Sequence, residues 1–516
     1  MGRAAAGLPG AVAAGALSGA AVSAAFPPLD WGPLAFAGLV PLALVCRRGS
    51  PGRAAAAGAA FGLLFFGLLI PWIHLFGMAA YLLLVFLETA FVAGSLAAGA
   101  VMRRRLPEGA GFLAFPVAFL AGEFLRSHAP LGGFPWGGLG YSQHDNLTVL
   151  RLASYTGVWG VSLLVALVNA LLAEAILAAR SAAAGAGPPG LAGLVRAAVA
   201  VGLLVVPALL PVISPRGGFA SLALVQGNPP QQDPTDPHAT DREFLEAQVA
   251  LTRTLAGSRV ALVVWPESSL GHDPFSDPSL LDPLLASIRQ MGAAYIVGAT
   301  LDAPGGRFRN VSLFFRSDGS TAGSYVKMHL VPFGEYVPAR RLLAGWIREL
   351  DRVPLDGIAG RSPTVFSLPQ GAFASVICYE TGYPELVRSF VARGARMIVV
   401  STNNSSYLRT AASAQMVAIS QLRAAEERMW VAQAALTGIS AVIAPSGRVV
   451  ARTGLFRPAV LTPTIRFATG TTVYGRYGDW LPVAVLVAGA LALAAPARVW
   501  EAVRQRVRAT GATETA

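Results

Sequence analysis

Two hydrophobic patterns divide this chain of 516 residues. Over residues 1–215, apolar runs rich in Ala, Gly, Leu and Val are separated by short polar breaks. Roughly 20 consecutive apolar residues cross a bilayer as a helix. The runs predict spans near 8–26, 30–46, 55–73, 78–101, 110–125, 155–179 and 195–213, with an eighth near 479–496. The first run follows Met1-Gly2-Arg3 and also fits a signal peptide, although further spans follow at once. From 216 to 475 the pattern changes to short apolar runs alternating with amphipathic stretches. Strands are predicted at Ser221–Val225, Val260–Val264, Ala294–Ala299, Val311–Phe315, Ala374–Ile377, Met397–Val400, Val431–Ala435, Ile439–Ile443 and Val449–Ala451. Helices are predicted at Thr240–Leu255, Ser279–Met291, Pro384–Ala392 and Ala411–Arg428. The chain therefore divides into a seven-helix N-terminal transmembrane domain (1–215), an α/β domain (216–475) and a C-terminal transmembrane helix with a tail (476–516).

Composition agrees with the first pattern. The chain is 54% hydrophobic and 13% charged, against about 25% charged in soluble domains. Its formal net charge is +12, but the arginines are not gathered on one amphipathic face, which argues against nucleic acid as a partner. They lie in short groups between apolar runs, as orientation signals do. With the N-terminus in the cytoplasm, Arg3, Arg47, Arg48, Arg53, Arg103, Arg104, Arg105, Arg180, Arg196, Arg498, Arg504, Arg506 and Arg508 fall inside. Both termini are then cytoplasmic, and an odd number of spans puts 216–475 outside. The Ala/Gly-rich segment 181–193 becomes a cytoplasmic loop. One outside loop is Gly- and aromatic-rich: Gly122–Arg126 with Glu123, then Gly132–Trp136 and Leu139–Gln143. It reads either as an interfacial aromatic belt or as a docking platform for the outer domain.

Chemistry concentrates in three stretches of the polar half. Lys327 is the only lysine; the other basic residues are arginines. A lone lysine in that background marks a place where a compact ammonium is needed. Glu267 ends Trp265-Pro266-Glu267 beyond a predicted strand, where Trp265 would shield it and raise its pKa. Cys378 ends another strand, about five residues before a helix, where backbone N–H groups and the helix dipole would favour thiolate and stabilise an oxyanion. Glu335 lies in a Pro/Gly-bounded loop that can fold back over the site. Glu380, two residues after Cys378, can orient Lys327 or that loop. Cys46 and Cys378 are far apart in the pattern, so no disulfide is expected. The sequence has no His-x-x-His or Cys-x-x-Cys metal spacing, no phosphate loop and no Gly-x-Ser-x-Gly. No metal or cofactor is expected.

An acid, an ammonium and a thiol in this order resemble the Glu-Lys-Cys triad of the nitrilase superfamily: Trp265-Pro266-Glu267, Lys327 and Cys378-Tyr379-Glu380. The string Lys327-Met-His-Leu-Val-Pro-Phe-Gly-Glu335-Tyr-Val-Pro338, the flanking spans, Gly133–Trp136 and Gly140–Gln143 resemble a narrower family, the bacterial apolipoprotein N-acyltransferases. The resemblance covers nearly the whole chain. It implies an α-helical polytopic membrane domain plus an α-β-β-α nitrilase-like sandwich. It implies Glu267 as general base, Lys327 as stabiliser of the intermediate and Cys378 as nucleophile, with Glu335, Glu380, Tyr379 and Trp265 in support. The implied reaction takes an acyl chain from a phospholipid onto Cys378 as a thioester. The chain then passes to the α-amine of a diacylglyceryl-cysteine at an apolipoprotein N-terminus, in the bacterial inner membrane.

The chain departs from the family pattern at Asn403-Asn404-Ser405-Ser406-Tyr407-Leu408 and at Gln415-Met416. Leu342–Ile347 is an apolar stretch between Lys327 and Cys378, read either as a mobile lid or as a helix on the domain core. Two other functions fit parts of the pattern. A membrane-tethered amidase would use the same triad on a small C–N substrate, and a non-enzymatic scaffold would carry a dead hydrolase domain.

Overall fold

The computed structural model describes residues 7–183, 191–212, 214–229, 237–338, 340, 353–495 and 500. Leu342–Ile347, the first six residues and the C-terminal arginines lie outside the described residues. The chain divides into two compact units. One comprises Met1–Pro71, Met78–Leu210 and Asp479–Ala516; the other comprises Trp72–Gly77 and Pro211–Gly478.

In the first unit, five helices among the described residues are long and apolar enough to cross a membrane: Pro51–Leu69, Met78–Arg105, Gly109–Arg126, Val149–Ala183 and Leu191–Leu209. The expected count of eight is not confirmed. Leu8–Ser23 and Trp480–Ala494 are apolar but shorter. The expected span at 30–46 is broken into Gly32–Leu34, Ala35–Gly38 and Val40–Arg48. Pro33 and Pro41 sit in the first turns of two of these pieces, where the missing N–H and fixed φ suit a helix start but not a helix interior. Small residues let the helices approach closely. A Cβ on Gly15 would lie 2.0 Å from the Ala57 carbonyl oxygen, and one on Gly62 would lie 2.7 Å from Thr89 Cα.

The Gly/aromatic segment is not a displayed loop. Residues 122–126 end the helix Ala114–Arg126, and Glu123, Arg126, Trp136 and Tyr141 are all buried. Arg126 donates to Glu88 Oε2 at 2.9 Å and to the carbonyls of Phe134 and Trp136 at 3.2 and 2.8 Å. Glu123 accepts from the Leu139 amide at 2.8 Å and from the Ser162 hydroxyl at 2.5 Å. These buried charges satisfy backbone groups between Phe134 and Leu139, where the chain is irregular ahead of the short 3-10 turn Leu139–Gln143.

The second unit contains two mixed sheets. The first is built from β1 (Phe219–Gln226), β2 (Leu262–Leu270), β3 (Ala294–Ala303), β4 (Arg307–Phe315) and β5 (Thr321–Val326). The second begins with β6 (Val365–Leu368), β7 (Gly371–Ile377), β8 (Ile398–Thr402) and β9 (Val431–Ala435), and continues with β10 (Ala441–Ile443) and β11 (Val449–Arg452). Two late strands, β12 (Ala459–Leu461) and β13 (Thr464–Arg466), return to pair with β1. Strands β1, β2 and β3 run parallel, as do β7, β8 and β9, and the outer strands are antiparallel. The near-continuous apolar runs of β8 and β9 are buried throughout, as expected where both faces are covered.

The sheets meet face to face. The Ser312 and Ser375 hydroxyls lie 2.8 Å apart, and Phe314 packs edge-on against Phe373. Helices Pro237–Arg253 and Pro278–Met291 cover the outer face of the first sheet. There Val249, Leu284 and Ile288 share a core with Trp265, Tyr295 and Phe315. Helices Pro384–Ala392 and Ala412–Glu427 belong to the second sheet's crossovers. This is the expected α-β-β-α sandwich. The predicted strands and helices of this half are found, some longer than the pattern indicated; β5, β6, β12 and β13 are additional.

Candidate active site

The carboxylate, ammonium and thiol converge where strands of the two sheets end. Glu267 lies on β2, at an irregularity in the β2–β3 register. Gly298 on β3 makes room there, since a Cβ would come within 2.5 Å of Glu267 Cα. Lys327 directly follows β5 and is 1% exposed. Its Nζ donates to Glu267 Oε1 at 3.1 Å and to Glu335 at 2.9–3.0 Å. The loop carrying Glu335 thus folds back, as expected, and is tied down where the Val331 amide donates to Glu335 Oε2 at 2.8 Å. Burial opposes the charge on Lys327, but Glu267 and Glu335 outweigh it and hold its pKa well above the ordinary lysine value.

Cys378 directly follows β7 with φ 53, a left-handed conformation that is strained for a residue with a Cβ. It opens the short 3-10 turn Cys378–Gly382 ahead of helix Pro384–Ala392. The expected bias towards thiolate is not found. Burial, then the negative charge of Glu267, push the thiol up to about 12, against the opposing pull of Lys327 and Thr402. The resting thiol is therefore protonated at neutral pH, and the same side-chain contact with Glu267 gives its proton a destination.

Glu380 is buried and orients the lysine's surroundings rather than the lysine itself. Its Oε1 accepts from the Tyr325 hydroxyl at 2.7 Å, the Met328 amide at 2.6 Å and the His329 amide at 3.0 Å; its Oε2 accepts from the Ile377 amide at 3.0 Å. One carboxylate so fixes both the strand end that carries Cys378 and the chain that leaves Lys327. Glu380→Gln places an amide N–H against the donors of one side. Leaving such buried donors unmatched costs about 1–3 kcal/mol. We expect a lower thermal midpoint in detergent together with reduced activity; an unchanged midpoint would remove this bracing role.

Two supporting assignments need correction or placement. Trp265 is wholly buried in the outer core, where its indole N–H donates to Thr252 at 3.0 Å and its ring packs edge-on against Tyr295. It anchors β2 and is held there, not as a shield over the carboxylate. Tyr379 is buried, and its hydroxyl accepts from that of Tyr383 at 3.1 Å.

Sequence reasoning missed three contributors. Asn310 on β4 donates to Glu267 Oε1 at 2.8 Å and to Glu335 Oε1 at 2.9 Å, bridging the two carboxylates. The Asn403 amide donates to Glu267 Oε2 at 3.0 Å. The segment Trp72–Gly77, which lies between two membrane helices in the sequence, belongs to this unit. Trp72 donates to Gln415 Oε1 at 3.0 Å, and Trp72 and Phe76 pack edge-on against Tyr407. The available signal was an aromatic cluster at a span boundary; Asn310, just ahead of the predicted strand Val311–Phe315, gave none. Among the described residues, no group of three or more His, Cys, Asp or Glu side chains is placed to hold a metal.

Sandwich topology and site define the class: a carbon–nitrogen hydrolase domain, whose family model matches residues 221–474. A second model, the apolipoprotein N-acyltransferase N-terminal domain, matches residues 18–171. The chain is 31% identical over 499 residues to the apolipoprotein N-acyltransferase of Geobacter metallireducens, covering 93% of this chain and 94% of that one. It is 30% identical over 498 residues to that of Gloeobacter violaceus, with 93% of each covered. It is 31% identical over 504 residues to that of Pseudomonas syringae pv. tomato, covering 92% and 94%. The chain belongs to the apolipoprotein N-acyltransferase family, and is a bacterial membrane protein.

Proposed function

We propose that this enzyme transfers an acyl chain from a phospholipid to the α-amine of the diacylglyceryl-cysteine that begins an apolipoprotein. The observation that carries the reading is Lys327, buried between Glu267 and Glu335 beside a protonated Cys378. Glu267 takes the thiol proton as sulfur attacks the ester carbonyl. The tetrahedral oxyanion forms facing the Lys327 ammonium, which stays charged. Collapse breaks the ester C–O bond, and the departing lysophospholipid oxygen takes the proton from Glu267. In the second half the lipoprotein amine attacks the thioester, gives a proton to Glu267, and the sulfur leaves to recover that proton as thiol. Splitting the transfer this way replaces one difficult aminolysis of an ester with two easier steps.

The positive-inside bias supports a catalytic domain, 216–475, on the outer side of the inner membrane, with both termini cytoplasmic. Residues 1–215 and 476–516 would then supply the membrane part. There both lipid substrates diffuse in two dimensions.

The test is to incubate the purified protein with a phospholipid labelled in its acyl chain, then add a diacylglyceryl peptide. Expected are hydroxylamine-sensitive label on the protein and its passage to the peptide amine. Folded protein that takes up no label but hydrolyses small amides would overturn the lipid reading.

A further inference from the structure

Thr402, the last residue of β8, is wholly buried, and its hydroxyl has three acceptors around one proton. Cys378 Sγ lies 3.3 Å from Thr402 Oγ1, Asn404 Oδ1 2.6 Å and Met416 Sδ 3.3 Å. With the amide oxygen turned to the hydroxyl, the short contact takes the proton. Asn404 Nδ2 is then buried without a hydrogen-bond partner among the described residues. A half-turn of the amide reverses the polarity. Nδ2 donates to Thr402 Oγ1, the orphaned donor is satisfied, and the hydroxyl proton is released towards sulfur. Room for the amide exists because residue 438 is glycine; a Cβ there would lie 2.6 Å from Nδ2. The left-handed backbone of Asn404, φ 62, is one that asparagine tolerates better than most residues.

We propose that Asn404 and Thr402 form an uncharged relay that donates a hydrogen bond to the Cys378 sulfur as its proton leaves for Glu267. Thr402 touches the reacting atom; Asn404 is a positioning residue that sets the direction of the Thr402 hydroxyl. A thiol sulfur is a weak acceptor and a thiolate a strong one. The relay therefore strengthens as the proton departs and favours the attacking form. Met416 fits the third position because its thioether competes only weakly for the proton. The charged and titratable groups acting on the sulfur are Glu267 from β2 and Lys327 after β5. Tyr407, in the turn after β8, and Glu335 and Glu380 through Lys327 complete the set. Tyr407 is the one neutral hydroxyl in that set, and among the described residues it is the Thr402 hydroxyl, not that of Tyr407, that hydrogen-bonds the sulfur from the β8 side.

This inference rests on Cys378 being the nucleophile, but its test needs no lipid. In a Cys46→Ala background, which leaves one thiol, the rate of Cys378 alkylation by iodoacetamide is followed between pH 7 and 9. Thr402→Val is expected to slow alkylation about tenfold at every pH, the size of one charge-assisted hydrogen bond, displacing the profile without changing its slope. Thr402→Ser restores the rate. Asn404→Asp, nearly isosteric but without an N–H to give, slows it at least as far as Thr402→Val. Thermal unfolding of each variant controls for folding, and the Ser and Asp variants decide the matter if the Val variant does not fold. Wild-type rates in Thr402→Val or in Asn404→Asp overturn the relay. So does a folded Thr402→Ser variant as slow as Thr402→Val. Label transfer from phospholipid to the wild type, measured separately, distinguishes failure of the relay from failure of the acyltransferase reading.

Discussion

Cys378→Ala abolishes both the labelled acyl-enzyme and transfer to the peptide amine. The expected loss in turnover is on the order of a million-fold, as when a triad loses its nucleophile. The change should leave the fold intact. The side chain loses only one sulfur atom, and alanine bears the same left-handed strain at φ 53 that cysteine already accepts. Thermal unfolding in detergent checks the fold, and hydroxylamine-sensitive label checks the chemistry. Residual transfer at more than a small fraction of the wild-type rate, from folded protein, would move the acyl group to another atom and remove the thioester from the mechanism.

Lys327→Arg keeps the charge and loses the chemistry. The site is closed around a compact ammonium that touches two carboxylates within 3.1 Å and is 1% exposed. A planar guanidinium on a differently shaped stem has no space between Glu267 and Glu335 without moving one of them. Moving Glu267 takes the base from the thiol, and moving the charge takes it from the oxyanion. Loss of one oxyanion partner alone costs about a hundred- to a thousandfold in turnover, and displacement of the base adds to that. The measurement is single-turnover acyl-enzyme formation, which isolates the first half-reaction. A rate within about tenfold of wild type would show that this site asks only for a positive charge. The singular lysine of the sequence would then have no chemical explanation.

The contrast with Asn310 shows how far sequence reading reaches. Lys327 stood out because every other basic residue is an arginine, so its identity alone carried information. Asn310 lies just ahead of the predicted strand Val311–Phe315 and carried none until the fold brought its side chain to Glu267 of β2 and the Glu335 loop, where one amide bridges two carboxylates. The same holds for the thiol. Position at a strand end before a helix suggested a thiolate, but the start of that helix is preceded by a 3-10 turn, and dry surroundings beside Glu267 dominate. Desolvation is a property of what surrounds a residue in space, which spacing along the chain does not reveal.

The membrane half shows the same division. Apolar runs located the long helices, because a bilayer demands about 20 such residues wherever they occur. They did not show that Pro33 and Pro41 break the second run, nor that Glu123 and Arg126 turn inward to hold the backbone of the Gly/aromatic segment.

By itself the sequence determined what repeats or is singular along the chain: the apolar runs, the alternating strands and helices, and the acid, lone lysine and thiol. These are local properties, fixed by hydrophobic period and residue chemistry. Only the tertiary structure decided which buried donors meet which carboxylates, that the cysteine rests as a protonated thiol, and that Thr402, with Asn404 behind it, reaches its sulfur. Those depend on contacts between strands distant in sequence, and on the water their packing excludes.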